Sequence, residues 1–397
     1  MNKLAIVVQR CHQDIIGGSE AEAWHYGVLL KKKYKIDILT TTAIDYDKWD
    51  NLLPEGDEVR DGICIKRFKV SQGRISYWRK ILGQLLGEFK NMKYESSKKI
   101  TGKLIEWPVA LQEEFIYKQG PYSDDLINFL SERSKDYEAV IFLTYLYPTT
   151  YFGMFVVPES KIIFIPTLHN EAPAYLSVYK YLAKRAKIIL WNTDSESRFG
   201  RVLWGDLPGC VLGMGVETRQ FAPAELNFPY ILYCGRIDAG KGSPQMVRYF
   251  LKFKDDCHTE LRLILTGDKR INLPAKEYII YKGIVSEEEK FKLLSGADIF
   301  IMPSSHESFN IATLEAMAKK TPVLASSGSE VIVDHIKKSG GGLLYNNYAS
   351  FKCGVNFILE NKDKANEMGR KGRNYVVENY STKKISKKIN DVIETII

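Results

Sequence analysis

Residues 297–320 read ADIFIMPSSHESFNIATLEAMAKK, and this stretch indicates how the chain folds. The apolar run 297–302 is typical of a buried strand, and the Pro-Ser-Ser sequence after it ends that strand. Good helix formers dominate from Asn310 to Lys320. We therefore predict a strand, a tight turn and a helix whose N-terminus lies at the carboxyl end of the strand.

The start of this predicted helix has the features of an anion site. In open parallel sheets, ligands bind beyond the carboxyl ends of the strands, where free helix N–H groups favour an anion. Glu307 precedes the first turn, and Glu315 lies about 7.5 Å along the axis from Asn310. Two carboxylates there suit a ligand with a central phosphate and hydroxyls at both ends, such as a nucleotide sugar. Alternatively, Glu307 only complements the helix dipole and Glu315 is a solvated surface residue.

Length and composition limit the kinds of protein this chain can be. With 397 residues it exceeds the usual size of one hydrophobic core, so we expect two domains. The net charge of +8 is only mildly basic, and without Arg-rich repeats or zinc-ligand spacing we expect no nucleic acid partner. Six scattered cysteines fit buried thiols in a reducing cytoplasm better than a disulfide scaffold.

The chain shows no targeting segment that would contradict a cytoplasmic location. Its first residues become polar too soon for a signal peptide. No run approaches the roughly 18 apolar residues that span a bilayer. We therefore expect a cytoplasmic protein.

The first half of the chain begins with a strand, a glycine pair and a helix. Leu4 to Val8 is the strand, Gly17 and Gly18 form the loop, and helical periodicity runs from Ala21 to Lys33. Glycine lets the backbone come close to a phosphate. Because the G-x-G-x-x-G fingerprint is missing, an NAD site is disfavoured. A plain strand-to-helix turn is the alternative.

Further strands of this half are predicted at residues 36–42, 63–70, 139–146, 161–166, 188–192 and 211–216. His169 follows the strand 161–166, which puts it on the ligand-facing edge of the sheet. A lone histidine is usually structural, but this position makes His169 a candidate site residue.

A basic segment extends from residue 66 to residue 103. Within it, residues 77–89 have apolar side chains at helical spacing, an aromatic end and basic flanks. Such a helix could lie on an anionic membrane surface or cover an acceptor site. The interpretation we favour is a surface helix that packs its apolar face on the domain.

The second half begins after a proline-flanked linker at residues 218–228. A strand at 230–234 leads into a loop containing Gly235, Arg236 and Lys241. Two cations in a glycine-rich loop can clamp a diphosphate, Arg as a bidentate fork and Lys as a point charge. The alternative is a solvated turn.

Strands and helices alternate through the rest of the chain. Strands are predicted at residues 261–267, 279–283, 299–302 and 323–325. This alternation predicts a second parallel sheet with helices on both faces. The tail from Lys362 to Ile397 is predicted to be helical, with a break at residues 380–381.

In combination and order, these motifs resemble a family 4 glycosyltransferase of the GT-B fold. The strongest carriers are residues 306–317 and 235–242, and residues 41–49, 119–121 and 166–171 resemble a bacterial subgroup. The resemblance implies an α/β protein with two facing Rossmann-like, doubly wound domains and an interdomain cleft. It also implies retaining transfer of a hexose from a UDP- or GDP-type nucleotide sugar to a hydroxyl acceptor.

The resemblance further implies a domain plan and a set of partners. Residues 1–222 would form the acceptor-side domain, 223–380 the nucleotide-sugar-binding domain, and 381–397 a helix crossing back to the first domain. The acceptor would be a carbohydrate or lipid-linked molecule in polysaccharide or glycolipid synthesis. We expect no metal or other cofactor, and peripheral contact with the inner face of the membrane would run through residues 66–103.

The resemblance implies a role for each candidate site residue. The catalytic set would be His169 near the donor sugar, Arg236 and Lys241 at the leaving diphosphate, and Glu307 at the sugar hydroxyls. The nucleotide-sugar-binding set would be Gly17, Gly18, Gly235, Phe309, Asn310, Ile311 and Glu315. In the second set, the residues at 309–311 would offer backbone N–H groups to the diphosphate, and Glu315 would bind the ribose.

Two positions depart from the family pattern, which commonly has Gly where this chain has Ser308 and Asn310. Ser308 could cap the helix, whereas Asn310 would bring a side chain next to the phosphates and leave the donor undecided. A nucleotide-sugar epimerase of the same fold and a non-catalytic nucleotide-sugar-binding subunit are the alternative functions.

Overall fold

The computed structural model describes residues 2–12, 17–95 and 102–397. The chain forms two compact units. Unit 1 contains Met1–Gly213 together with Ser386–Ile397, and unit 2 contains Met214–Ile385.

Unit 1 is built on an eight-stranded sheet with the order β3-β4-β2-β1-β5-β6-β7-β8. Its strands are β1 (Lys3–Arg10), β2 (Lys35–Thr41), β3 (Gly56–Arg60), β4 (Ile63–Phe68), β5 (Ala139–Leu143), β6 (Ile162–Ile165), β7 (Ile188–Trp191) and β8 (Gly209–Val211). Its helices are α1 (Gly18–Leu30), α2 (Trp78–Glu95), α3 (Val109–Gln119), α4 (Asp124–Arg133), α5 (Pro148–Val156), α6 (Val178–Lys184) and α7 (Asp194–Trp204). The strands are parallel except for β3, which pairs antiparallel with β4 at the edge.

Unit 2 has a six-stranded, fully parallel sheet with the order β11-β10-β9-β12-β13-β14. Its strands are β9 (Tyr230–Cys234), β10 (Arg262–Thr266), β11 (Ile279–Tyr281), β12 (Ile299–Met302), β13 (Val323–Ser326) and β14 (Gly342–Tyr345). Its helices are α8 (Ser243–Asp256), α9 (Glu287–Gly296), α10 (Ile311–Ala318), α11 (Glu330–Ser339), α12 (Tyr348–Glu360) and α13 (Lys362–Tyr380).

The central strands of both sheets are apolar on both faces. All residues of β5, β6, β9 and β12 are buried. Strands of this kind form where helices cover both faces of a parallel sheet, and the hydrophobic core of each unit lies between its sheet and its helices.

The predicted α/β architecture with two parallel sheets is confirmed, with three differences in the strands. The final strand of unit 1 is at Gly209–Val211 rather than at residues 211–216. Strands β3 and β14 were not expected from the sequence. β3 is a polar, largely exposed edge strand, so it lacks the apolar signal that marks the others.

The boundaries between the two compact units differ from the predicted domain boundaries, which were 222/223 and 380/381. Residues 214–222 belong to unit 2 because they hydrogen-bond to it: the Val216 N–H donates to the Tyr380 carbonyl at 2.7 Å, and Lys319 Nζ donates to the Glu217 carbonyl at 2.6 Å. The final helix, α14 (Thr382–Ile396), follows the predicted break and belongs to unit 1 from Ser386 onward.

Candidate active site

The glycine-rich loop after β9 is held by its own side chains. Gly235 has φ +147°, which favours glycine. The Arg236 guanidinium is paired with the Asp238 carboxylate, which also accepts the Lys241 backbone N–H at 2.8 Å. The Tyr233 hydroxyl donates to the Arg236 carbonyl at 2.7 Å. The loop is therefore ordered around Asp238, a residue that the sequence analysis did not single out.

This loop meets the loop after β12. Gly242, the N-cap of α8, has φ +75°, and a Cβ there would lie 2.7 Å from the Pro303 carbonyl oxygen. Lys241 Nζ donates to Glu307 Oε1 at 2.6 Å. The structure thus joins two predicted site residues, Lys241 and Glu307, in one ion pair whose side chains are 30% and 12% exposed.

Asn310 is the N-cap of α10. Its backbone is left-handed (φ +60°), a conformation that glycine adopts freely and asparagine tolerates. Its Oδ1 accepts the Thr313 N–H at 3.0 Å. The capping residue is therefore Asn310 and not Ser308, and the Asn310 side-chain oxygen is engaged by the first turn of its own helix.

Glu315 lies in the interior and is paired. It is 7% exposed, and its Oε1 accepts from Lys290 Nζ on α9 at 2.9 Å. Burial raises the pKa of Glu315, although Lys290 opposes that shift. Burial lowers the pKa of Lys290, but the carboxylates of Glu315 and Glu287 outweigh it and raise that pKa overall. The alternative of a solvated Glu315 is wrong.

These loops lie where the strand order of unit 2 reverses. β9 neighbours β10 on one side and β12 on the other, so the carboxyl ends of β9 and β12 form a topological switch point. The residues gathered on these two loops and the start of α10 are Gly235, Arg236, Lys241, Glu307, Phe309, Asn310 and Ile311. This is the position at which open parallel sheets bind ligands.

The corresponding edge of unit 1 carries the glycine pair after β1. Gly17 is the N-cap of α1 and has extended backbone (φ −143°). A Cβ at Gly17 would lie 2.0 Å from Glu20 Oε2, whereas one at Gly18 would meet nothing within 4 Å. Of the two glycines, only Gly17 lies where a larger side chain would clash, and the clash would be with Glu20.

His169 follows β6 and faces an acid. Its Nε2 lies 3.3 Å from Glu171 Oε1, which also accepts the Tyr145 hydroxyl at 2.6 Å. The His169 side chain is 32% exposed, so it is accessible at this edge. The proposed role of His169 near the donor sugar stays a prediction.

A buried acidic side chain, Glu196, holds the segment that carries His169. Glu196 Oε1 accepts the Leu168 N–H and Oε2 accepts the Asn192 N–H, both at 2.5 Å. Burial raises the pKa of Glu196 to about 8, against the effect of these two backbone bonds. Glu196 therefore joins the chain after β6 to the chain after β7.

A second buried acid, Glu22, lies in the same network. The Tyr26 hydroxyl lies 2.9 Å from the Gly213 carbonyl and 3.2 Å from Glu22 Oε1. The Tyr26 hydroxyl has one hydrogen and can donate to either oxygen; when that hydrogen goes to Gly213, a protonated Glu22 carboxyl can donate a hydrogen bond to the Tyr26 oxygen. This geometry agrees with burial, which raises the pKa of Glu22 to about 8.

The apolar face of the basic helix α2 packs against the hydrophobic core of unit 1. Ile81 and Leu85 are buried, and Trp78, Leu82 and Phe89 pack against the same core. The packing interpretation of this helix is thus confirmed. Residues 96–101 of the basic segment lie outside the described residues, and membrane contact stays a prediction.

Two kinds of feature are absent from the residues that the structure describes. Among them, no helix is long and apolar enough to cross a membrane. Likewise, within these ranges no group of three or more His, Cys, Asp or Glu side chains is arranged to hold a metal ion.

Comparison with protein families assigns the second unit to a known class. Residues 217–375 match the family model described as "Glycosyl transferases group 1". This part of the chain thus carries a glycosyltransferase domain, and the predicted enzyme class is confirmed for it.

The chain is also similar to a curated relative, an uncharacterized glycosyltransferase of Methanocaldococcus jannaschii. The two are 29% identical over 186 residues, which is 45% of this chain and 47% of the relative. The chain spans about a third to about half the length of the first curated relatives that it matches.

Two solved structures resemble the whole chain. Sucrose-phosphate synthase from Thermosynechococcus elongatus has a TM-score of 0.71 at 15% identity, covering 100% of this chain and 99% of that one. Anabaena HepE in complex with UDP-glucose has a TM-score of 0.68 at 13% identity, covering 99% of both chains. The predicted GT-B fold class is confirmed.

Proposed function

We propose that this protein is a retaining glycosyltransferase that moves a hexose from a UDP- or GDP-type nucleotide sugar to a hydroxyl acceptor. One observation carries the proposal: Arg236, Lys241, Glu307 and the N-terminus of α10 are gathered at the switch point of unit 2. HepE of Anabaena, which has the same fold, is described in complex with UDP-glucose. That description supports a nucleotide-sugar donor here.

The ion pairs at this edge are suited to exchange partners when the donor binds. Lys241 would leave Glu307 for the diphosphate, because a phosphate oxygen offers the ammonium the same kind of charge-assisted bond. Glu307 would then accept hydrogen bonds from the sugar hydroxyls. Arg236 and the N–H groups at the start of α10 would complete the anion site.

The transfer step uses these cations to stabilise the leaving group. The acceptor oxygen forms a bond to the anomeric carbon on the face from which the diphosphate departs, and the bond to the diphosphate breaks. The acceptor proton passes to the departing phosphate oxygen. Charge grows on the diphosphate during this step, and preorganised cations and N–H groups stabilise it.

Unit 1 would bind the acceptor, a carbohydrate or a lipid-linked molecule of polysaccharide or glycolipid synthesis. His169, paired with Glu171, would act at the donor sugar, and Gly17 and Gly18 would approach the phosphates. A cytoplasmic location is part of the proposal and is supported by the six cysteines, which are all free. Sedimentation with anionic liposomes, at low and high salt, tests contact through residues 66–103.

The test of the proposed function measures nucleoside diphosphate release from a panel of UDP- and GDP-sugars with sugar acceptors. Arg236→Ala, Lys241→Ala and Glu307→Ala should each lower turnover by roughly 100- to 1,000-fold, the usual loss for one group that stabilises transition-state charge. Lys252→Ala is the matched control, since Lys252 is an exposed residue of α8 that pairs with Asp256.

The outcomes separate the alternatives. Wild-type rates in all three variants would show that the site assignment is wrong. An epimerised sugar formed without acceptor would indicate an epimerase. Donor binding, seen as a raised melting temperature, without any turnover would indicate a nucleotide-sugar-binding subunit.

A further inference from the structure

A buried histidine of unit 2, His335 on α11, contacts the loop that leads into α10. It is 2% exposed, and its Nε2 lies 3.0 Å from the Phe309 carbonyl oxygen. Its Nδ1 lies 3.1 Å from the Tyr375 hydroxyl on α13. Neither His335 nor Tyr375 belongs to the sites described above.

The partners of His335 define its tautomer. The Phe309 carbonyl can only accept, so Nε2 carries a hydrogen; in a neutral ring Nδ1 then accepts the Tyr375 hydroxyl. The Tyr375 hydroxyl in turn lies 3.4 Å from that of Tyr380. The rings of Phe309 and Tyr380 pack edge-on against the imidazole, at 6.0 and 5.6 Å between centroids. The imidazole is therefore held from both sides.

The hydrogen bond from His335 to the Phe309 carbonyl determines the direction of the next N–H group. The peptide bond between Phe309 and Asn310 is trans and planar, so its C=O and N–H point in opposite directions. With the carbonyl held by His335, the Asn310 N–H is directed away from α11. Asn310 also has a left-handed backbone, which leaves this peptide plane without the restraint of regular helix geometry.

We infer that His335 is a positioning residue for the diphosphate site: it fixes the 309–310 peptide so that the Asn310 N–H is presented to the phosphate of a nucleoside diphosphate. The inference rests on the proposed function for the identity of the ligand. The orientation of the peptide is independent of the proposed function. Tyr375 acts one step further away, by holding the imidazole in the tautomer that donates to Phe309.

The test compares two substitutions of His335. In His335→Gln the side-chain amide can place an N–H where Nε2–H lies, whereas His335→Leu removes both hydrogen bonds and keeps an apolar side chain. Phe351→Leu, a core substitution on α12, is the control for lost stability. Hydrogen–deuterium exchange of the peptide 306–314 reports on the loop, and calorimetric titration with UDP and GDP reports on binding.

We expect faster exchange of residues 306–314 in His335→Leu and near wild-type exchange in His335→Gln. Loss of one oriented N–H should weaken binding of the nucleoside diphosphate by about tenfold in His335→Leu. His335→Gln should recover most of that affinity, and Phe351→Leu should lower the melting temperature without changing either quantity at low temperature. The exchange rate and the affinity of Tyr375→Phe should lie between those of His335→Gln and His335→Leu.

The results separate this inference from the proposed function. Unchanged exchange in His335→Leu, or unchanged affinity despite faster exchange, would overturn the role of His335. Faster exchange in a protein whose wild type binds neither nucleotide would contradict the proposed function and still support the role of His335 in orienting the peptide.

Discussion

The carboxyl edges of the two sheets both collect acidic side chains, but these acids have different partners. In unit 2, Glu307 pairs with Lys241 and Glu315 pairs with Lys290. In unit 1, the hydrogen bonds of the buried acids Glu22 and Glu196 are to neutral groups: backbone N–H groups, a tyrosine hydroxyl and an asparagine amide.

This difference separates a site that can bind an ionic ligand from a framework that holds a loop. An ion pair at a sheet edge can exchange one charged partner for a ligand of the same charge. A buried carboxylate that satisfies backbone donors cannot leave them without exposing unpaired groups, which is costly. Unit 2 therefore has exchangeable charges at its edge, whereas the buried acids Glu22 and Glu196 of unit 1 serve its structure.

The largest effect is expected for Glu196→Ala in unit 1. It leaves the Leu168 and Asn192 N–H groups buried without their partner, at about 1–3 kcal/mol each. The free energy of unfolding should fall by about 2–6 kcal/mol. All six tryptophans lie in unit 1, so urea denaturation followed by tryptophan fluorescence reports on this unit.

The control for this change is Glu132→Ala, which alters an exposed acid of α4 and should leave the midpoint unchanged. If Glu196→Ala unfolds at the wild-type urea concentration, its carboxylate does not hold the segment that carries His169.

A pH effect is expected from Glu22. Its folded-state pKa of about 8 lies above the ordinary 4.5, so between these values the folded protein holds a proton that the unfolded chain releases. The contribution of Glu22 to the free energy of unfolding is fully present below pH 4.5. It is lost as the pH rises to 8, by about 1.4 kcal/mol per pH unit for one site.

Glu22→Gln keeps the shape of the side chain and a donor for the Tyr26 oxygen but has no proton to lose. Its stability, measured by the same fluorescence at pH 5.5, 7 and 8, should decline less steeply with pH than that of the wild type. Equal slopes for the two proteins would mean that Glu22 is already ionised in the folded state.

The smallest effect concerns the backbone of unit 2 at Asn310. Asn310→Ala loses the cap on Thr313 and keeps an unfavourable left-handed residue, at a cost of about 1–2 kcal/mol. Asn310→Gly also loses the cap but relieves the backbone, so only a few tenths of a kcal/mol are expected. Circular dichroism melting curves give the order of stability, and equal losses in the two variants would contradict the backbone strain expected at position 310.

The sequence was sufficient where the signals are local. Apolar runs marked the strands of both sheets except β3 and β14, and glycine-rich loops after β9 and β1 marked where each edge lies. The order of these motifs along the chain indicated the GT-B fold. Asn310 was also identified as the informative departure, although its side chain caps the helix.

The sequence was insufficient where a residue depends on a partner far along the chain. Lys290 and Glu315 are 25 residues apart, Leu168 and Glu196 are 28 apart, and His335 and Phe309 are 26 apart. The two members of each pair lie on different helices, or on a helix and a distant loop, so only the packing of the chain brings the partners together. The strand β3 escaped prediction for another reason, its polar and exposed sequence.

Calorimetric titration with UDP and GDP tests the central contrast most directly, using the wild type, Lys241→Met and Glu22→Gln. Loss of a charge-assisted bond is worth about 1.5–3 kcal/mol, so Lys241→Met should weaken binding of the preferred nucleotide by roughly 10- to 100-fold. Glu22→Gln should bind as the wild type does. Unchanged affinity in Lys241→Met, or a loss confined to Glu22→Gln, would contradict the account.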